Sequence, residues 1–207
     1  MKNVTVIEHP LIQHNLARLR QKDASVEEFR HALTQVATLM VYEATRSFPT
    51  RKVRVTTPLG RTEGRVLSRD VLLVPVLRAG LGMLGPILQL LPYARVGFIG
   101  LKRHEETLES ATYHKSLPAD LRGFEIVLID PMLATGGSAL TALKLLFERR
   151  AEHVRMVNLV AAPEGIRAVR AHYPALPIFT AAIDQKLNSH GYICPGLGDA
   201  GDRLFGV

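Results

Sequence analysis

The chain predicts an α/β fold with a mostly parallel central sheet flanked by helices, and three observations predict it. Five short stretches, "VLLVPVL", "ARVGFIGL", "FEIVLID", "VRMVNLVAA" and "LPIFTAAID", lie between residues 71 and 184, rich in β-branched residues and almost continuously apolar. That is how parallel strands covered on both faces read. Segments of helical character separate most of them: Leu81 to Leu91, Ser138 to Arg150, and Glu164 to His172, where Pro163 suits a first turn. Such alternation builds a sheet with right-handed crossovers, and 207 residues suffice to bury its core as one domain, 1–207.

The elements follow in order. Residues 1–50 read as N-terminal helices. A short one covers Leu11 to Arg20. A longer one opens at a capping box, Ser25 with Glu28, carries Phe29, Leu33, Val36, Leu39 and Met40 at helical spacing, and runs to about Ser47 before Pro49. In 51–68, "RKVRVTTPLGRTEGRVLS" alternates on either side of a "PLG" turn, so a β-hairpin arm is expected, set apart from the sheet. The α/β core spans 71–183. Within it, residues 101–123 are polar, charge-dense and longer than an ordinary connection, which suits a lid or hood over a site, with a disordered surface loop as the plain alternative. The last segment, 184–207, is rich in glycine and poor in periodicity, and Tyr192, Ile193 and Leu204 fold it back onto the body as a hood.

Composition narrows the function classes. With 47% apolar and 22% charged residues the chain is of ordinary globular type. Cys194 is the single cysteine, which excludes an intrachain disulfide framework and a cysteine metal cluster. No stretch approaches the ~18 apolar residues that span a bilayer and the N-terminus has no apolar leader, so a cytoplasmic protein without membrane attachment is expected. The net charge of +7 is spread along the chain. It suits a phosphorylated small ligand as well as a nucleic acid, but without a concentrated stripe or recognition motif no nucleic-acid partner is expected.

Two dinucleotide-type GxGxxG patterns occur, and neither has its frame. In "GLGMLG", Gly80 to Gly85, Pro75 interrupts the preceding strand, Arg78 stands before the first glycine, and the next strand ends in "GLKRH" without a suitably placed acid. "GLGDAG", Gly196 to Gly201, comes too near residue 207 for a strand–helix frame to follow.

"IDPMLATGGS", residues 129–138, does have its frame. Asp130 ends an apolar strand and "SALTALKLLFERR" begins a helix, so the loop delivers backbone N–H groups and a helix N-terminus to the sheet's carboxyl edge. Gly136 and Gly137 clear the path of an anion and permit an amide nest, while Thr135 and Ser138 add hydroxyls. No lysine precedes Ser138, so this is not a Walker A loop. A carboxylate beside a phosphate seat repels the phosphate unless it faces sugar hydroxyls or magnesium. The combination therefore points to a ribose phosphate, against the plain alternative of a capped helix after a glycine turn.

With these residues in place, "VLIDPMLATGGS" resembles the phosphoribosyl-pyrophosphate (PRPP) signature of the type I phosphoribosyltransferases, and its Asp-Pro-Met-Leu form is similar to the uracil branch. The likeness continues in "PVLRAGLGM" (75–83), "GLKRHEETLES" (100–110), "LVAAPEGI" (159–166) and "HGYICPGLGDAGDRLFG" (190–206). It implies the type I phosphoribosyltransferase fold, and transfer of the 5-phosphoribosyl group from PRPP to uracil, giving UMP and diphosphate with Mg2+. It implies that Asp130 engages the ribose hydroxyls, that Pro131, Met132, Leu133, Ala134, Thr135, Gly136, Gly137 and Ser138 form the donor loop, and that Arg78 and Arg103 clamp the diphosphate. Tyr192, Ile193, Gly198, Asp199 and Ala200 fall in the uracil segment, with Asp199 also touching the donor. Arg103, Asp130 and Asp199 are then the catalytic residues, stabilising the transition state and leaving group without an assigned general base. Type I enzymes usually carry two adjacent acids at the strand end. Here the second is Pro131, as in the uracil branch, so no direct metal ligand is assigned and magnesium is expected mainly through substrate and water. His104 and His190 are better read as solvated loop residues than as bases, and Cys194 and Lys102 have no assigned role. The likeness implies a homodimer or higher homo-oligomer, with the N-terminal helices or the hairpin as contacts. Some relatives respond to GTP, and no motif here decides that. Another base-specific phosphoribosyltransferase and an RNA-binding regulator on a related fold remain open as rivals.

Overall fold

The computed structural model describes residues 3–103 and 110–207. The strands are β1 (Val4–Val6), β2 (Thr50–Thr57), β3 (Gly60–Leu67), β4 (Asp70–Leu77), β5 (Arg95–Val96), β6 (Phe98–Arg103), β7 (Ser110–Ser116), β8 (Phe124–Ile129), β9 (Met132–Leu133), β10 (His153–Ala161), β11 (Ile178–Ile183), β12 (Lys186–Leu187) and β13 (Ile193–Cys194). The helices are α1 (Pro10–Arg20), α2 (Val26–Ala44), α3 (Leu81–Leu90), α4 (Gly137–Phe147), α5 (Pro163–His172) and α6 (Ala200–Phe205). No helix among the described residues is long and apolar enough to cross a membrane.

The main sheet runs β1-β11-β10-β8-β4-β6-β7, parallel throughout except for the antiparallel β6–β7 pair. Its central strands are buried nearly end to end, as their unbroken apolar runs require. One apolar layer joins the sheet to α1, α2 and α3 through Leu16, Phe29, Met40, Met83 and Val157. The other joins it to α4 and α5 through Ala142, Leu146, Met156 and Ile166. After β4 the chain moves to one side to form β6, and returns to the other side for β8, β10 and β11. Strand order therefore reverses between β4 and β8, and a crevice opens at their carboxyl ends.

Four expectations change. β1 pairs in parallel with β11 through Val4, Thr5 and Val6, where no strand was foreseen. "ARVGFIGL" is two strands broken at Gly97, since a Cβ there would meet the Leu117 side chain at 2.7 Å. The expected lid is in part an antiparallel ribbon, with Leu101, Lys102 and Arg103 opposite Thr112, Ala111 and Ser110. Its polar residues are those of a ribbon leaving the body, where neither face needs an apolar stripe. The end of the chain also forms α6, so a helix does follow "GLGDAG" after all. Six residues capped by Asp199 are too few to show a period. The capping box at Ser25 and Glu28 forms as expected, with Ser25 Oγ accepting from the Glu28 amide and the Glu28 carboxylate accepting from the Ser25 amide.

Candidate active site

Asp130 follows β8 at the point of strand reversal. Its own backbone is tied down on both sides: its amide donates to the Val157 carbonyl at 3.2 Å, and its carbonyl accepts from Asn158 Nδ2 at 2.6 Å. The carboxylate is left to face the crevice, with one long bond, 3.4 Å, from the Met132 amide to Oδ1. Part of its surface reaches solvent, yet the protein packed around it makes ionisation costly. Burial raises its pKa from 3.8 to about 7, with the Met132 amide opposing weakly. An acid placed so is poised for ligand donors rather than for an ion pair.

The loop after it is held from below. The Pro131 carbonyl accepts from the Leu159 and Val160 amides, and the Leu133 carbonyl from Ala162 N at 2.8 Å. Pro131 and Leu133 are buried and shape the floor of the crevice. Gly136 has φ +90 and caps α4. A Cβ at Gly136 would meet the Ala168 Cβ at 3.0 Å and the Gly165 carbonyl at 3.2 Å. The missing side chain therefore makes room for α5, and the positive φ is the unusual dihedral expected of this glycine. Gly137 is the first residue of α4 with ordinary helical backbone, and its amide donates to Thr135 Oγ1 at 3.4 Å.

From the far side the hood closes down. Asp199 caps α6, its Oδ1 accepting from Gly201 N at 2.8 Å and Asp202 N at 3.0 Å. Ile193 is buried in the core while Tyr192 is 46% exposed, so the two candidate walls divide into an anchor and a rim. A cavity of about 190 Å³ results, lined by Asp130, Met132, Ala134 and Ser138 from one side and Tyr192, Ile193, Gly198, Asp199 and Ala200 from the other. Hollows elsewhere are larger, such as one of about 440 Å³ beside Phe147 and Tyr173, but they do not lie at the strand reversal.

Of the two expected clamps, Arg78 is exposed just beyond β4, next to the cavity-lining Ala79, and makes no ion pair among the described residues. Arg103 ends β6, and its side chain lies outside the described residues, as do His104 and Glu105. Two glycines of "GLGMLG" are packing residues: a Cβ at Gly80 would meet the Val76 and Ile129 carbonyls at 2.6 and 2.8 Å, and one at Gly82 the side chains of Leu204 and Leu33, whereas one at Gly85 would meet open space.

A profile of the uracil phosphoribosyltransferase family matches residues 6–207. The chain belongs to that family. It is 51% identical to the uracil phosphoribosyltransferase of Dictyoglomus turgidum over 205 residues, covering 99% of both chains. The same identity holds over 210 residues to that of Lactococcus lactis, with complete coverage of each. Among solved structures, the AQ2163 protein from Aquifex aeolicus superposes with a TM-score of 0.94 at 41% identity, covering 99% of this chain and 98% of that one. An adenine phosphoribosyltransferase from Trypanosoma brucei, at 13% identity and a TM-score of 0.61, shares the fold.

Within a uracil phosphoribosyltransferase frame, several lining or supporting residues had no local signal. Ala79, Gly191 and Gly201 line the cavity, and Asn158 and Gly165 sit beneath the 130–138 loop. Gly165 lies in the quoted "LVAAPEGI", and a Cβ there would overlap the Ala134 carbonyl oxygen. Its motif was visible, but its reason lies across the fold.

Proposed function

We propose that this chain transfers the 5-phosphoribosyl group of PRPP to uracil, giving UMP and diphosphate. The observation that carries the reading is the single crevice in which a carboxylate and a glycine loop face a hood of uncharged backbone. Donor and base need those different chemistries side by side. The Ala134–Ser138 loop, with the N-terminus of α4, would take the 5′-phosphate, and Asp130 would accept from the ribose 2′- and 3′-hydroxyls. Arg78 and Arg103 would grip the diphosphate as its bond to the anomeric carbon breaks. Guanidinium suits that task, with paired donors and a charge kept at every working pH. Uracil is neutral, so its edge asks for hydrogen-bond geometry, which Gly198, Asp199 and Ala200 would supply beside Tyr192. The new bond joins a ring nitrogen to the anomeric carbon, and that nitrogen loses its proton.

The residues present fit magnesium. Asp130 offers one hard oxygen ligand at the crevice floor, Pro131 offers none, and magnesium commonly keeps water and substrate phosphate oxygens for its remaining positions. Magnesium would be carried mainly by donor oxygens and water beside Asp130, and would neutralise diphosphate charge.

Assembly belongs to the same proposal. No residue of the β2–β3 hairpin is buried, and Leu59 at its turn is 99% exposed. A lone two-stranded ribbon is marginal in water, so we take this one as a contact with a second copy. The deciding assay is UMP formation from uracil and PRPP, with and without magnesium, beside a panel of other bases. A different base consumed faster than uracil would overturn the specificity.

A further inference from the structure

The hood's backbone is irregular, and its polar groups need partners from elsewhere. Arg20, the last residue of α1, supplies them across 176 positions. Its Nη1 donates to the Gly196 carbonyl at 2.8 Å, and its two nitrogens grip the Asp184 carboxylate at 2.7 Å each. Asp184 Oδ2 in turn accepts from the Gly196 amide at 2.8 Å. Both backbone groups of one residue are thus held by one ion pair, whose side chains are 25% and 7% exposed. Gly196 itself has φ +61, and a Cβ would overlap the Ile193 carbonyl oxygen. A second grip lies just beyond. Arg203 donates to the Leu197 carbonyl at 2.9 Å and to the Leu19 and Gln21 carbonyls, its guanidinium 4.5 Å above the Phe29 ring.

We infer that the Arg20–Asp184 pair is a positioning device for base recognition. By fixing both backbone groups of Gly196, it presets the neighbouring Leu197–Ala200 backbone, so that uracil meets a formed edge. Among the described residues, Ala134–Gly137 has no hydrogen bond to this pair and rests on α5 and its own turn, while Pro131 before it is held by β10. Buried ion pairs contribute little net stability over apolar replacements but can specify a conformation. Here the conformation specified belongs to one substrate.

This inference rests on the proposed reaction, and wild-type UMP formation tests that separately. Given an active wild type, Asp184→Asn should raise KM for uracil about tenfold, equivalent to about 1.4 kcal/mol. KM for PRPP should stay within about twofold, the span of a surface-scale perturbation. Asp184→Ala should do more, because Asn can still accept from the Gly196 amide and Ala cannot. Arg20→Lys keeps the charge but loses the fork, and should shift uracil KM in the same direction. An unchanged uracil KM in folded Asp184→Asn, or equal rises for both substrates, overturns the positioning role. The wild type decides the matter if the variants do not fold: the Gly196 amide should resist hydrogen exchange before uracil is added. Free exchange there until uracil binds would refute a preset edge.

Discussion

Asp130 carries two opposed consequences of its position. Its folded pKa of about 7 lies above the ordinary 3.8. Between those values the unfolded chain has released the proton and the folded chain still holds it, so this residue weakens the fold as pH rises and leaves it weakened above about 7. Asp130→Asn should therefore melt higher than wild type at pH 8, with the gap closing towards pH 4. The same variant should lose at least about a hundredfold in kcat/KM for PRPP, since each hydrogen bond to a charged acceptor contributes roughly 1.5–3 kcal/mol. In the wild type, affinity for PRPP should fall as pH is lowered through about 7, where the free acid takes up its proton. A variant that melts lower at pH 8, or a pH-independent donor affinity, would contradict the placement. Gly165→Ala tests the floor of the site: its Cβ would overlap the Ala134 carbonyl oxygen, and the donor loop must move. PRPP affinity should drop while uracil affinity, set by the hood, holds.

At the scale of elements, legibility followed burial. β4, β8, β10 and β11 announce themselves because both faces are covered, and α2 because a capped helix of 19 residues shows its period. β1 has three residues and α6 six, too short for any period to show. β7 reads as loop because "SATYHKS" is short and largely polar, with Ala111 to Ser116 all exposed and Tyr113 set against Gly100. The Asp130 side of the crevice was readable as a strand–loop–helix frame, whereas the partners of the hood were not, because Arg20 and Asp184 are 164 positions apart. The same distance hides the brace beneath α2. Glu125, 3% exposed, binds Arg69 at 2.7 Å and Arg155 at 2.9 Å, and Arg155 reaches the Ala44 carbonyl and covers the Phe48 ring. Glu125→Ala should cost about 3–5 kcal/mol in denaturant unfolding, because it leaves the Arg155 charge buried without its acid. A loss under about 1 kcal/mol, the level of a surface pair, would show that water reaches the site.

For the whole molecule, the exposed ribbon and the 22.8 kDa chain mass make assembly measurable. Light scattering should give at least twice that mass, and replacing 51–67 with a short flexible linker should return the monomer. A monomeric wild type would leave the ribbon without its partner. The crevice itself joins two halves with unlike histories. Asp130 is secured by Asn158, 28 positions away, whereas Gly196 is secured by Arg20 from 176 away. Closing the longer loop costs more chain entropy and comes later in folding. A chain loosened by warmth or mild urea should accordingly forget which base it accepts while it still grips sugar phosphate, and discrimination among bases becomes the most fragile property it has.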